Sequence, residues 1–468
     1  MKAISIIPAL VLATALGAMG FWMMAPPPDV GGMGVPIPKP KPSMKDEEKS
    51  LLGALNPGSA KSSSLSGSWA QFRGNKLDSK SSDPRSILTE WPDNGPSVVW
   101  KTKLSKGHGG ASIHQGKAYI LDYNTETFAD VIRCLNVETG QEIWNYAYPV
   151  KTKNNHGITR SVPAVNDRFV VTLGPKAQVY CLDAQTGAFI WSKSLVLEYG
   201  TVIPKWYSGQ CPLMVGEKVL IAPCGPKGFV IQVDCATGQV DWTAENSMRW
   251  DMTHTSITPM TLAGGIETYV YSGSGGVAGV DVKTGEVLWV NRQWKIKIAA
   301  CASPVVIDQE RLFLSAGYSA GCMMIRIFKD DEGNWDSKVI FKLEEKAFGS
   351  VQHTPILHEG FLYGTRPNGE LVCLSLEGQV KWASGIQKYG IGPYMMIGSR
   401  MFLLDSKTCD LALVDIQPSA FSPIERKNLW DGHDAYGLMA YNHGLLLLRD
   451  LNTMVALDIS VGGYKVIN

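Results

Sequence analysis

Short apolar runs separated by polar turn residues dominate the chain from residue 97 to residue 459. Between Val162 and Trp191, for example, four runs rich in β-branched and aromatic residues alternate with Asn-Asp, Gly-Pro and Thr-Gly. Such runs are typical of β-strands, and these dipeptides are typical of the turns between them. No segment of this part keeps a period of 3.6 residues, so we expect few helices. The pattern predicts units of four short antiparallel strands.

A phrase of about eleven residues recurs among these runs and sets their period. It spans Cys134 to Trp144 and again Cys181 to Trp191, with Thr-Gly near its centre. The tryptophans of this repeat are separated by 44, 47, 51, 47, 93 and 48 residues. The gap of 93 residues is two periods, and Phe341 lies where the missing tryptophan is expected. The tryptophans that mark the repeat, which we assign to blade packing, are Trp100, Trp144, Trp191, Trp242, Trp289, Trp382 and Trp430.

A period in the mid-forties with four strands per unit predicts an all-β fold, the β-propeller, whose blades protect their edges by closing into a ring. Eight units can be counted, and seven is the alternative. The last unit, residues 436–460, has three strands, so we expect the run around Trp100 to supply the fourth and close the ring. The Thr-Gly turn needs a positive φ, which glycine adopts without a steric penalty.

The nine cysteines divide into a repeated position and scattered ones. Cys134, Cys181 and Cys373 occupy one position of the phrase, where other units carry glycine or alanine. That choice of residues demands a small side chain, so we predict that these three thiols are buried core groups. Cys211 and Cys224 lie on neighbouring runs and are the best candidates for a disulfide, but their diagonal register disfavours one.

The phrase Leu-Asp-x-x-Thr-Gly-x-x-x-Trp, preceded by a Val-Tyr-type strand, resembles the PQQ-type (pyrroloquinoline quinone-like) β-propeller repeat. The lead-in from Trp69 to Gly74, Trp-Ala-Gln-Phe-Arg-Gly, resembles the opening of many exported members of that group. The resemblance covers residues 69–460 and implies the fold. It is compatible with two functions, since the repeat occurs in quinoprotein dehydrogenases and in the non-enzymatic outer-membrane assembly factor BamB.

Composition predicts three regions. Residues 1–25 hold a long apolar run, typical of an export signal that is either cleaved as a signal peptide or kept as a membrane anchor. Residues 26–68 are rich in Pro, Gly and Ser and are expected to form a disordered linker. Residues 69–468 form the expected propeller, exported to the periplasm or cell envelope. The first cysteine is Cys134, so the lipid-bearing cysteine of the assembly factor has no counterpart.

The sequence lacks the motifs that the dehydrogenase resemblance requires. Those enzymes hold PQQ with adjacent cysteines, a calcium site and a catalytic Asp, whereas this sequence has no adjacent cysteines and no Cys-x-x-Cys-His motif for haem. It also has no Gly-x-Ser-x-Gly, His-Glu-x-x-His or phosphate-loop motif, and its eight histidines show no metal-ligand spacing. We therefore expect no catalytic residue, no metal and no cofactor. A net charge of +1 gives no support for nucleic-acid binding.

Binding is expected on the face where the long connections between blades lie. Exposed aromatic residues near Arg and Lys are typical anchors for a partner, and the alternative for each is packing between blades. The aromatic residues of these connections are Trp206, Tyr207, Trp250, Trp294, Tyr318, Tyr389 and Tyr394. Polar residues at the starts of the innermost strands are expected to rim the channel, where a small polar ligand or a peptide end could bind. They are His108, Arg160, Gln210, His254, His353 and Tyr436.

The sequence thus predicts an exported, non-catalytic propeller that binds an envelope or membrane protein. The alternative is a quinone- or metal-dependent oxidoreductase that departs from the family motifs.

Overall fold

The structure, a computed structural model, describes residues 52–83, 85–296 and 298–463. Its strands form eight sheets that follow one another around a ring, which confirms the predicted eight-bladed β-propeller. The predicted export signal and residues 26–51 of the predicted linker lie outside the described residues. Within the described part of the chain, no helix has the length and apolar character needed to cross a bilayer.

Each blade runs from an innermost strand at the channel to an outermost strand at the rim. Blade 1 consists of Ala111–His114, Lys117–Asn124, Ala129–Asn136 and Glu142–Pro149, and blade 2 of Ala164–Val165, Phe169–Leu173, Gln178–Asp183 and Phe189–Ser194. Blade 3 consists of Leu213–Val215, Lys218–Ile221, Ile231–Asp234 and Val240–Thr243, and blade 4 of Thr258–Leu262, Ile266–Gly273, Gly276–Asp281 and Val287–Asn291.

The second half of the ring repeats this order. Blade 5 consists of Val305–Val306, Arg311–Ala316, Gly321–Lys329 and Trp335–Leu343, and blade 6 of Ile356–His358, Phe361–Thr365, Glu370–Ser375 and Val380–Lys388. Blade 7 consists of Tyr394–Ile397, Arg400–Leu404, Asp410–Asp415 and Ser422–Asn428. Blade 8 consists of Gly437–Asn442, Leu445–Arg449 and Thr453–Asp458, completed by Ser97–Lys103.

The ring closes as predicted, because the strand that carries Trp100 pairs antiparallel with Thr453–Asp458 and lies opposite Ala456. The connections from each rim strand to the next inner strand, such as residues 195–212 and 244–257, lie on one face with the middle hairpin loops. We call this the loop-rich face. The opposite, short-turn face carries tight turns such as residues 166–168 and 284–286. The described residues contain one short α-helix, Leu195–Tyr199, on the loop-rich face.

The repeated tryptophan and glycine hold neighbouring blades together. At four seams the tryptophan of one blade lies against the Thr-Gly glycine of the next, so that a Cβ added at Gly140 would lie 2.6 Å from the Trp100 ring. Gly140 also has a φ of +66°, so glycine is needed both for the turn and for the space that the indole occupies. Phe341, predicted to replace a missing tryptophan, lies against Gly378 of the next blade in the same way.

At four of the six repeated tryptophans the indole N–H adds a hydrogen bond between blades. Trp100 donates from Nε1 to the backbone carbonyl of Val137 at 2.8 Å, and Trp191 donates to that of Cys235 at 2.8 Å. Both acceptors stand three residues before the Thr-Gly glycine of the next blade. The phrase therefore encodes an inter-blade contact. Its Trp contacts the following blade, and its Gly leaves space for the Trp of the preceding blade.

Trp144 departs from this pattern. Its ring lies against Gly187 at the same distances as Trp100 against Gly140, yet its buried Nε1 has no hydrogen-bond partner among the described residues. The carbonyl it would use belongs to Ala184, and the Tyr119 hydroxyl already donates to that oxygen at 2.9 Å. Tyrosine thus replaces tryptophan as the donor between blades 1 and 2.

In five blades the small position of the phrase lies directly opposite the tryptophan on the adjacent strand, which explains its composition there. The pairs are Cys134–Trp144, Cys181–Trp191, Gly279–Trp289, Cys373–Trp382 and Ala456–Trp100. The three cysteines are buried, as predicted. A Cβ at Gly279 would lie only 2.2 Å from the Trp289 indole, so a larger side chain would displace the ring. All nine cysteines are free thiols, including Cys211 and Cys224.

The assignment of Trp430 to the repeat is wrong. In blade 7 the position that is small in other blades holds Leu413. The residue opposite it, where the tryptophan of the repeat would lie, is Glu425. Trp430 lies beyond the end of the outermost strand and donates from Nε1 to a carboxylate oxygen of Asp450 in blade 8 at 2.8 Å. The spacing of 48 residues therefore does not reflect an equivalent position.

The region before the ring is more ordered than predicted. Ala54–Pro57 pairs with the rim strand of blade 1, and Ser68–Trp69 pairs with its innermost strand. The prediction of a disordered linker is therefore wrong for residues 54–68. The physical reason is that strand pairing satisfies backbone donors and acceptors, so the segment binds the blade edges without an apolar core of its own. Gly58 N, for example, donates to the carbonyl of Ile143 at 2.8 Å.

Candidate binding site in the central channel

A segment that precedes the ring crosses the short-turn end of the channel. The Val165 N–H of blade 2 donates to the carbonyl of Ala70 at 2.9 Å, and Arg73 donates to the carbonyl of Pro355 in blade 6 at 3.1 Å. Lys80–Ser81 then pairs in parallel with the innermost strand of blade 7. Phe72, between these contacts, lines the channel cavity. Residues 70–81 therefore form the floor of the channel, and we call them the floor segment.

The cavity above this floor has a volume of about 720 Å³, within the range of small-molecule sites. Five of the six predicted rim residues line it, and so do two of the predicted aromatic anchors. They are His108, Arg160, His254, His353, Tyr436, Trp206 and Tyr318. Sequence reasoning missed Phe72, His156, Cys301 and His433, which also line it. The fold thus gathers five of the eight histidines of the chain around one cavity.

Three of these histidines are neutral at pH 7. Burial is the main cause for each: it lowers the pKa of His108 and of His254 to about 4, and that of His353 to about 3. The charge of Arg160 lowers the pKa of His108 and His254 further. A ring nitrogen of His108, Nε2, lies 2.8 Å from the backbone carbonyl of His156 and donates to it. At these three positions the lining therefore presents neutral imidazoles.

Arg160 carries a positive charge at the cavity and is held by backbone atoms. Its Nη2 donates to the carbonyls of Asn155 and His156 at 2.8 and 2.9 Å, and its Nη1 donates to those of Gly157 and Ile158. Burial lowers its pKa to about 10, so the guanidinium stays protonated at neutral pH. No carboxylate of the described residues forms an ion pair with it. The result is a fixed cation whose charge is not neutralised by an acid.

The two thiols that line the cavity are not activated. Burial raises the pKa of Cys301 to about 12 and that of Cys211 to about 11, so both remain thiols at neutral pH and are weak nucleophiles. Among the described residues, no group of three or more His, Cys, Asp or Glu side chains is placed to hold a metal ion. The arrangement is suited to binding through hydrogen bonds, charge and aromatic contacts.

Two predicted contact residues lie next to this cavity and do not line it. Gln210 is completely buried, and its amide bonds to the backbone of Ala222, accepting at 2.8 Å and donating at 3.1 Å. It is a structural residue of blade 3, so its assignment to the channel rim is wrong. Tyr207 is half-buried in the connection after blade 2, where its hydroxyl donates to the carbonyl of Lys153 at 2.8 Å.

Trp250 and Trp294 are not exposed anchors: they are 4% and 3% exposed. Trp250 packs edge-on against Phe229 with ring centroids 5.9 Å apart, and Trp294 belongs to the core between blades 4 and 5. Tyr389 and Tyr394 are buried as well. The prediction failed for Trp250, Trp294 and Tyr389 because their connections turn back between blades, so that their rings fill the gaps between sheets. It failed for Tyr394 because this residue begins the innermost strand of blade 7.

The fold and the channel together define the class, an eight-bladed β-propeller with a channel closed at one end. Comparison of the sequence then gives the family. The family model described as outer membrane protein assembly factor BamB matches residues 128–384, more than half of the chain, so the chain belongs to that family.

Individual relatives are distant. The chain is 21% identical over 304 residues to the outer membrane protein assembly factor BamB of Moranella endobia (strain PCIT), and the match covers 63% of this chain and 63% of that protein. BamB from Moraxella catarrhalis has a similar structure, with a TM-score of 0.51 and 16% identity over 77% of this chain and 99% of that one. The computationally designed protein Ika8 is similar at a TM-score of 0.52 and 11% identity, over 78% and 100%. These structures support the fold.

Proposed function

We propose that the protein is a non-catalytic scaffold of the cell envelope that binds a protein partner with its loop-rich face. The observation that carries the proposal is the family match over residues 128–384, because the family and its curated relative are both named outer membrane protein assembly factors. The match spans less than two thirds of that relative, so partner and location are part of the proposal.

The chemistry of the channel supports a binding role. His108, His254 and His353 are neutral, the thiols are protonated and the arginine is held rigidly by four carbonyls. Such groups orient and recognise a ligand, whereas a general base or nucleophile needs a pKa near the working pH or an activating partner.

The loop-rich face also has features of a partner-binding surface. Next to the channel mouth, the Lys205 ammonium lies 4.9 Å from the centroid of the Trp206 ring, and the Lys176 ammonium lies 5.2 Å from that of Tyr207. Tyr318 at the mouth is 40% exposed. Aromatic side chains next to cations lose little conformational entropy on binding and bury a large area, as interface anchors do.

The proposal can be tested by photocrosslinking from two exposed valines on opposite faces. Val202, 57% exposed on the loop-rich face, and Val215, 44% exposed on the short-turn face, would each be replaced by a photoreactive amino acid in cells. We expect one defined adduct with an envelope protein from position 202 and none from position 215. Adducts from position 215 alone, or from neither position, would contradict the proposal.

The absence of catalysis needs a separate assay. Purified protein would be incubated with PQQ, Ca²⁺ and a primary alcohol while reduction of an electron-accepting dye is followed. We expect no turnover. Saturable, PQQ-dependent dye reduction would replace the scaffold proposal by the oxidoreductase alternative.

A further inference from the structure

The lining of the channel has more positive than negative charge. Lys106 and Arg160 contribute cations, and Asp434 is the single carboxylate among the described lining residues. The Asp434 carboxylate already contacts Nδ1 of His433 at 3.2 Å. The Lys106 ammonium is exposed and has no ion-pair partner in the described part of the chain. An anion that enters the channel therefore meets two cations and little repulsion.

Two buried polar atoms of the lining residues lack partners. They are Nδ1 of His108 and Nε2 of His353, neither of which has a hydrogen bond to the described residues. A buried polar atom left unpaired costs free energy, so a site with two of them favours a ligand that supplies hydrogen-bonding groups. His108 already donates from Nε2 to the carbonyl of His156, so the Nδ1 of its neutral ring can only accept, for example from a peptide N–H, whereas His353 can donate from Nε2.

The shape of the cavity determines which part of a ligand can enter. The floor segment closes the short-turn end, and Phe72, Trp206, Tyr436 and Leu438 add apolar surface to the walls. A long chain could therefore insert only one of its ends. The combination of apolar walls, cations and neutral hydrogen-bonding groups fits an apolar chain that ends in a carboxylate.

We propose that the channel is a binding site for the carboxylate end of a ligand, supplied either by a small apolar carboxylic acid or by the C-terminus of a polypeptide. The carboxylate lies near Arg160 and Lys106, and the apolar part contacts Trp206 and Tyr436. Arg160 acts through its fixed charge, since its Nη hydrogens already bond to carbonyls. This inference goes beyond partner binding on the loop-rich face, and it stands even if that face binds nothing.

Fluorescence anisotropy of a labelled peptide tests the proposal on the full chain. The probe is a pentapeptide of alanine and leucine with fluorescein at its N-terminus, compared with the same peptide ending in an amide. We expect the free carboxylate to bind at least tenfold more tightly, and the difference to shrink at high salt, because salt screens charges. Competition with N-acetyl-leucine identifies the source: full displacement at similar concentration indicates a small acid, and weak displacement indicates a polypeptide end.

Charge variants provide the matched control. Lys106→Gln should weaken binding of the carboxylate peptide roughly 3- to 10-fold, the effect of one partly screened charge. Lys283→Gln, at an exposed lysine on the short-turn face, should leave it unchanged. Arg160→Gln should weaken peptide binding more than Lys106→Gln does. If Arg160→Gln does not fold, the result for Lys106→Gln is the test of the proposal. Equal binding of carboxylate and amide, or no binding of either peptide and of N-acetyl-leucine at millimolar concentration, would overturn the proposal while leaving the crosslinking result intact.

Discussion

Replacing Trp100 by phenylalanine should weaken the seam between blades 8 and 1 by an amount that the structure allows us to work out. The indole is 7% exposed and donates to the carbonyl of Val137, a completely buried residue. Phenylalanine keeps a ring against Gly140 but removes the donor. A buried acceptor without a partner costs about 1–3 kcal/mol, and the smaller ring adds about 1 kcal/mol of lost packing. We expect a loss of roughly 2–4 kcal/mol.

Trp144→Phe is the matched control at the next seam. Trp144 has the same ring position but no hydrogen bond, so the substitution removes an unpaired N–H and should cost about 1 kcal/mol or less. The Tyr119→Phe variant then frees the carbonyl of Ala184 for the indole. In that background Trp144→Phe should become costly, which gives a positive coupling energy in a double-mutant cycle.

Urea unfolding followed by circular dichroism measures these differences. We expect a lower urea midpoint for Trp100→Phe than for Trp144→Phe, with an unchanged slope. Equal midpoints for the two single variants, together with no effect of the Tyr119→Phe background, would show that the inter-blade hydrogen bond contributes nothing to stability.

Three further predictions concern single positions. Gly187→Ala should lower the melting temperature more than Gly216→Ala, because both residues have positive φ but only a Cβ at Gly187 would lie 2.6 Å from an indole ring; differential scanning calorimetry of both variants decides this. Trp294→Ser should cost about 3–5 kcal/mol in urea unfolding, as a buried aromatic does, whereas Trp206→Ser should leave stability nearly unchanged, and equal losses would contradict the burial difference. Burial raises the pKa of Asp130 to about 8, so the folded protein keeps a proton that the unfolded chain releases near pH 4, and stability from this proton is present at low pH and lost as pH rises towards 8. Asp130→Asn should therefore gain stability relative to the wild type between pH 4 and 8, by up to ~1.4 kcal/mol per pH unit, and a pH-independent difference in urea unfolding would refute this.

The blades could be predicted from sequence because the signal that builds them is local and repeated. Trp, the small residue opposite it and the Thr-Gly turn all lie within about eleven residues, and most repeats use them for the same inter-blade contact. The period therefore revealed the ring, its closing strand and the role of Phe341. Trp430 shows the limit of this reasoning, since a tryptophan can match the spacing and still lie outside the strand.

The candidate site was only partly predictable, because its residues meet through the ring and not through the chain. His108, His156, His254 and His353 are 48, 98 and 99 residues apart, close to one, two and two blade periods. That spacing was a usable signal for histidines near the axis. The floor segment gave no such signal, because it binds the blades through single contacts that do not repeat along the chain, such as those of the Ala70 carbonyl and the Arg73 side chain.

The strand Ser97–Lys103 is made long before its partner exists. Its pairing strand, Thr453–Asp458, begins 350 residues later in the chain. At the usual rate of synthesis that interval is roughly 20–70 s, during which the strand's edge has no native partner. The strand must therefore remain without non-native partners while the seven blades that follow it form. The ring can close only after the last blade has been synthesised. Until then the unpaired edge at this seam can pair with another chain, so the seam is where the growing chain is most prone to edge-to-edge association.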